Sequence, residues 1–312
     1  IKEAEIHFDG LTVIAGDNNT GKSTIGKVLF TLFHSLRNMP QLVLEERKEV
    51  IRSLFSVLFR RDVERYRLFR TVEMNGMAAL FRGIDETADP IESWHETFLH
   101  NIKQELGITL SREEQQELKS SIESAWTTSD NEIETFLVQN AFSDMFAGQV
   151  NSFYDRAAAQ ISLHVQGKGK KVAFKFNECM FHKSNIELFE DAIYVDDPFL
   201  IDQCVYPRIL GSDTVNNPMR KGLLHYLEMD ERPGVIEGLE IKRKLADIFS
   251  LFQQIIPGSI VRQRRRFVLK MDDQDGVLNV ENWSAGIKSF AILRRLLENG
   301  TLHEKGVLIL DE

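Results

Sequence analysis

The chain has 312 residues, 43% hydrophobic and 27% charged, with a formal net charge of −9. That length allows one large or two modest domains, and the acidic balance excludes a polycation that binds nucleic acid over its whole surface, so any such contact needs a local basic patch. Two cysteines, Cys179 and Cys204, give no disulfide framework and point to a reducing, cytoplasmic setting; neither a membrane-length apolar run nor a signal-peptide pattern is present.

In chain order, residues 1–6 read as a first strand and the apolar run Leu11, Thr12, Val13, Ile14, Ala15 as a second. Gly16, Asp17, Asn18, Asn19, Thr20, Gly21, Lys22 and Ser23 then fill every fixed position of the phosphate-binding loop G-x-x-x-x-G-K-[ST]. A helix over 25–33 follows, which supplies the strand–loop–helix context that the motif needs. Glycines let backbone N–H groups close around phosphates, and the helix N-terminus adds partial positive charge. The pattern implies a nucleoside triphosphate site. Lys22 would reach the β- and γ-phosphates, Ser23 would ligate Mg²⁺, and Thr24 would complete the nucleotide contacts.

About 260 residues separate this loop from the next motif, too many for unstructured chain. Residues 41–70 carry Val50, Leu54, Val57 and Leu58 at helical spacing, and helices continue over 91–106, 111–126 and 132–161. Ser111 and Glu114 form a capping box, and Asp130 is placed to cap the next helix. No heptad persists long enough for an extended coiled coil. The period then changes: residues 162–165 and 171–176 read as strands about a turn at 167–170, and 192–195 as a further strand. Asp196 and Asp197 after it suit turn geometry. Residues 234–256 are again helical. Residues 259–271 and 276–280 read as a hairpin turning at 272–276, with Arg262, Arg264 and Arg266 on one face. A second basic group comprises Arg60, Arg61, Arg65, Arg67 and Arg70. A solvated face balanced by nearby acids explains both runs; contact with DNA phosphates or with a partner protein remains open.

Two motifs close the chain. Trp283, Ser284, Ala285, Gly286, Ile287, Lys288 and Ser289 open a helix over 287–298, with Ser284 as N-cap and Gly286 leaving the first turn uncluttered for an anion. Val307, Leu308, Ile309, Leu310, Asp311 and Glu312 then form an apolar strand ending in two acids, the Walker B pattern, where ligands sit in open α/β sheets. Asp311 would hold Mg²⁺, and Glu312 would polarise the attacking water as general base.

Taken together, G-x-N-x-x-G-K-S, W-S-x-G-x-K-S and L-I-L-D-E resemble the SMC/RecF/OLD-related ABC-type ATPases, above all the bacterial AAA-15/AAA-21 "AAA family" ATP-binding proteins, many of them in anti-phage defence. The resemblance covers the two ends of the chain, about a third of it. It implies an α/β P-loop ABC-type ATPase head (1–40 and 186–312) with a large helix-rich insertion and accessory β-strands (41–185). It further implies ATP and Mg²⁺ as ligands, and a homodimer or higher homo-oligomer in which Ser284, Gly286 and Lys288 of one copy cap the γ-phosphate held by the other. A strand near residue 195 would carry a polar sensor, for which Asp196, Asp197 and Gln203 are candidates. The expected role is ATP hydrolysis that controls a partner effector such as a nuclease, in phage defence or DNA repair. The alternative is a slow nucleotide-sensing scaffold that holds an effector inactive. The family's Walker B continues into a histidine-bearing segment that is not found after Glu312; with no initiator Met at the start, the 312 residues are expected to be part of a longer product.

Overall fold

The computed structural model describes residues 3–8, 10–60, 62–74, 79–81, 90–152, 157–165, 168–181, 188, 191–205, 217–229, 235–256, 258–263, 266–271, 276–302 and 306–311. They form a mixed α/β chain, mostly helical, with three small sheets. Two compact units divide it: one of Ile1–Arg37, Asn140–Ala159 and Leu188–Glu312, the other of Asn38–Gln139 and Gln160–Glu187. Among the described residues, no helix is long and apolar enough to cross a membrane.

The first unit is built on helix α1 (Lys22–Leu36) and two short strands, β4 (Ala192–Val195) and β8 (Val307–Leu310). These strands pair in parallel, with Ala192 opposite Val307 and Val195 opposite Leu310. Every β4 residue is buried, as the near-continuous apolar run of a parallel strand requires. Its side chains alternate between two clusters. Ile193 and Val195 pack with Leu223 of α7 (Pro218–Glu228) and with Ile292 of α10 (Ala285–Glu298), which follows α8 (Val235–Lys244) and α9 (Ala246–Ile255) in the chain. Ala192 and Tyr194 pack with Phe30 of α1 and Met219. Gly26 lets α1 sit directly on the strands: a Cβ there would lie 3.0 Å from the Tyr194 ring and 3.1 Å from Ile309. A mid-helix glycine costs about 1 kcal/mol relative to alanine, and this close approach is what it permits.

Two expectations for this unit are corrected. Residues 3–8 and 10–15 form no strand; Leu11 is 91% and Val13 79% exposed. A strand needs a hydrogen-bonded neighbour, and among the described residues β8 pairs only with β4. The segment 259–271 is two strands, β5 (Ser259–Gln263) and β6 (Arg266–Lys270), followed by β7 (Val277–Asn279). Arg262 therefore faces Phe267 across the ladder and Gln263 faces Arg266. Arg262 and Arg266 therefore lie on different, antiparallel strands instead of along one strand face, and β6 sends Phe267 and Leu269 into the core. Arg264 and Arg265 lie outside the described residues.

The second unit holds α2 (Met39–Arg60), α3 (Val63–Met74), α4 (Pro90–Leu106), α5 (Arg112–Thr127) and the sheet β1 (Ala159–Val165), β2 (Lys168–Lys175), β3 (Glu178–Phe181). An aromatic core of Phe55, Phe59, Phe69, Trp94 and Phe98 joins its helices. On α2 the inward face carries Ile51, Phe55, Leu58 and Phe59, whereas Val50 and Val57 are 42% and 53% exposed. The stripe is thus turned by about one residue from that expected, because the two phenylalanines stack into the core. The capping box forms as expected: Ser111 N–H donates to Glu114 Oε2 at 2.7 Å and Glu114 N–H to Ser111 Oγ at 3.2 Å. Helix α6 (Asp130–Met145) is capped differently. Ser129 accepts from Glu132 N–H at 3.3 Å, while Asp130 accepts from Arg47 Nη2 at 2.7 Å. The helix also ends at Met145, well short of residue 161, and β1 begins at Ala159.

Candidate functional site

The loop 16–21 and the start of α1 make one structural device. Gly21 caps α1 with φ 96° and ψ 18°, in the left-handed region that glycine enters without penalty. Asn19, φ 65°, adds a second left-handed residue of a type that tolerates it. Thr20 Oγ1 donates to Asp17 O at 2.8 Å. Lys22 Nζ donates to the carbonyls of Gly16 and Asp17, both at 2.7 Å, so its ammonium is folded over the loop. No side chain caps α1 and its first turn carries no acid. Uncapped amides beside an ammonium make a favourable environment for an anion.

At the carboxyl ends of the paired strands, Asp311 meets this device. Its N–H donates to Val195 O at 3.0 Å, continuing the ladder by one residue. Ser23 Oγ donates to Asp311 Oδ1 at 3.0 Å although the two are 288 positions apart. Tyr194, 1% exposed, donates its hydroxyl to Asp311 Oδ2 at 2.5 Å. Burial and the adjacent Asp311 carboxylate push the Tyr194 phenol far above its ordinary pKa, so it stays a donor. A hydroxyl and a carboxylate are hard oxygen ligands of the kind Mg²⁺ takes one or two at a time, with water and phosphate completing its shell. Among the described residues, no group of three or more His, Cys, Asp or Glu could hold a metal. The donor set fits Mg²⁺ carried with a phosphate ligand.

Neighbouring acids are committed elsewhere. Arg220 clamps Asp196, with Nε 3.2 Å and Nη2 3.0 Å from Oδ2. Asp197 Oδ1 accepts from Phe199 N–H at 2.9 Å and opens the 3-10 turn Pro198–Val205, a structural role. Gln203 on that turn is exposed.

The tip of α10 is formed as its residues suggest. Ser284 is the N-cap and accepts from Ile287 N–H at 3.4 Å, while Ala285 and Gly286 are exposed. Buried Trp283 anchors the tip by donating Nε1–H to Leu278 O at 3.0 Å. A Cβ on Gly286 would meet nothing within 4 Å among the described residues, so none of them demands glycine there. Lys288 departs from expectation. Its side chain is fully buried, with Nζ 2.5 Å from Asp202 Oδ2 and 4.3 Å from the Phe199 ring centroid. Four positions after Ser284, it lies on the inward face with Ala291 and Ile292, so its ammonium is turned inward and paired instead of facing a nucleotide across the tip.

Glu312 lies outside the described residues, as does Arg61. Arg65 pairs with Glu114 at 2.7 Å, which balances part of the second basic group. Tyr194, Asp202 and Arg220 carry no local sequence signal for the contacts they make. Comparison of the chain with models of known protein families, with curated proteins and with solved structures yields no match.

Proposed function

We propose that the chain is an ATP-binding and ATP-hydrolysing P-loop protein of the ABC/SMC-like kind, whose nucleotide-dependent dimerisation controls a partner effector such as a nuclease or DNA-processing enzyme. The observation that carries the proposal is the Ser23–Asp311 contact: two residues expected to share one Mg²⁺ stand 3.0 Å apart at the mouth of a glycine-capped loop. The residues that would hold Mg²⁺ are Ser23 and Asp311, and when bound it would neutralise charge on the β- and γ-phosphates. Lys22 would exchange its two carbonyl partners for phosphate oxygens. The amides of 18–24 would cradle the triphosphate. Glu312 would orient water and take its proton as ATP + H₂O becomes ADP + phosphate.

Support for a site completed by a second copy comes from α10. Its tip is exposed and capped, and it carries a glycine that no neighbour among the described residues requires. A phosphate approaching the first-turn amides would require it. Lys288 supports this tip from behind. Adenine is preferred to guanine on the resemblance alone, as are the effector, the phage-defence or repair setting and any DNA contact through the Arg groups.

The test is nucleotide binding and phosphate release by the purified chain with Mg²⁺. The wild type should bind ATP and release phosphate. Lys22→Ala should weaken binding at least about tenfold, the loss of one charge-assisted hydrogen bond or more, at an unchanged Tm. A wild-type chain that binds no nucleotide at millimolar concentration would reject the proposal.

A further inference from the structure

We propose that Tyr194 is a positioning residue for the divalent cation, holding Oδ2 of Asp311 so that Oδ1 is the oxygen presented beside the Ser23 hydroxyl. The inference rests on the nucleotide-binding reading above and extends it to a residue outside every motif. A carboxylate on the residue just past a short strand can rotate about its terminal bond, since that torsion is broad. Here both oxygens are engaged by hydroxyls from different elements, Tyr194 on β4 and Ser23 on α1. The two contacts differ in rigidity. Ser23 is exposed and its hydroxyl turns freely about the C–O bond, keeping two lone pairs for a cation while it donates to Asp311.

Tyr194 has no such freedom. Its ring lies against Gly26, where a Cβ would stand 3.0 Å from Cε2 and 3.3 Å from the hydroxyl. On the same side it meets Phe30 edge to face, with centroids 6.1 Å apart. Helix α1 therefore fixes the phenol, and the phenol fixes the carboxylate. A buried neutral donor to a carboxylate is a short, strong hydrogen bond. It leaves the negative charge in place for a cation while restricting where that charge points. Partners that orient metal ligands in this way typically change metal affinity 10–100-fold when removed.

The decisive variant is Tyr194→Phe, which keeps the ring between Gly26 and Phe30 and deletes only the hydroxyl. Three quantities are measured on the 312-residue chain: Tm, ADP affinity in EDTA, and Mn²⁺ binding to the ADP-loaded protein by electron paramagnetic resonance. The expected result is an ADP affinity in EDTA within twofold of wild type and a Mn²⁺ half-saturation concentration raised roughly 10–100-fold. Gly26→Ala, which crowds the same hydroxyl, should move the Mn²⁺ curve in the same direction and serves if Tyr194→Phe does not fold. Wild-type-like Mn²⁺ binding in the variants overturns the proposal. So does an equal loss of ADP affinity in EDTA and of Mn²⁺ binding, which marks a merely structural tyrosine. A wild-type protein that binds no nucleotide removes the nucleotide reading itself, a separate outcome.

Discussion

Replacing Gly286 with alanine should improve the fold while impairing association, a divergence that few single substitutions produce. Gly286 is the second residue of α10, exposed, outside the positive-φ region, with nothing within 4 Å of its missing Cβ. The added methyl meets no clash, and the helix gains up to about 1 kcal/mol of alanine propensity. In the first turn roughly half of that is expected, which raises Tm by about 1–2 °C for a chain this size. If the α10 amides receive a γ-phosphate from a second copy, the same methyl stands in its path. Loss of one or two hydrogen bonds to a charged group, about 1.5–3 kcal/mol each, weakens ATP-dependent association at least tenfold. Gly286→Asp sharpens the contrast, because an acid in the first turn favours the helix by about 0.3–1 kcal/mol and repels phosphate. The assay is sedimentation or light scattering with and without Mg²⁺–ATP, alongside thermal unfolding. Association constants within twofold of wild type in both variants would refute the role of the α10 tip.

The remaining predictions concern what holds this unit together. Lys288→Met should destabilise the fold by about 2 kcal/mol, because it strands the Asp202 carboxylate beside its lost partner. Adding Asp202→Leu should recover most of the loss in urea unfolding, and a double variant as unstable as the single would reject the pairing argument. Asp191 is held below the usual carboxylate range: burial opposes this, but the His34 ring 3.6 Å away, the hydrogen bond from Tyr226 and the Arg37 guanidinium outweigh it. A lowered folded-state pKa gives stability that is present above about pH 4 and lost as pH falls below it, so Asp191→Asn should flatten the acid limb of a stability–pH curve. Burial and the Asp191 charge push Tyr226 up to about 12. The folded phenol keeps a proton that the unfolded chain releases near pH 10, so stability should fall as pH rises above about 10; Tyr226→Phe should make that fall shallower, leaving the share that the raised Tyr194 contributes.

Features that depend on neighbours within about four positions were legible in the amino-acid string. The Ser111–Glu114 capping box, the Ser284 cap, the glycine loop leading into a helix and the buried strand at Ala192–Val195 all arise from local backbone needs. Even locally there were limits: the cap expected at Asp130 is made by Ser129, and Asp130 pairs with Arg47 instead. The tertiary structure alone decided which face of α2 is buried, where the arginine-bearing strand reverses, and that residues 10–15 lack a strand partner. It also decided the chemistry of the candidate site. Lys288 turns inward to an acid 86 positions away, Tyr194 reaches Asp311 across 117, and Ser23 reaches it across 288. Such contacts are set by how α1 seats on the β4–β8 pair and how α10 packs beneath its own tip. A string records which residues are available, and only close packing selects the oxygen or ammonium that each one meets.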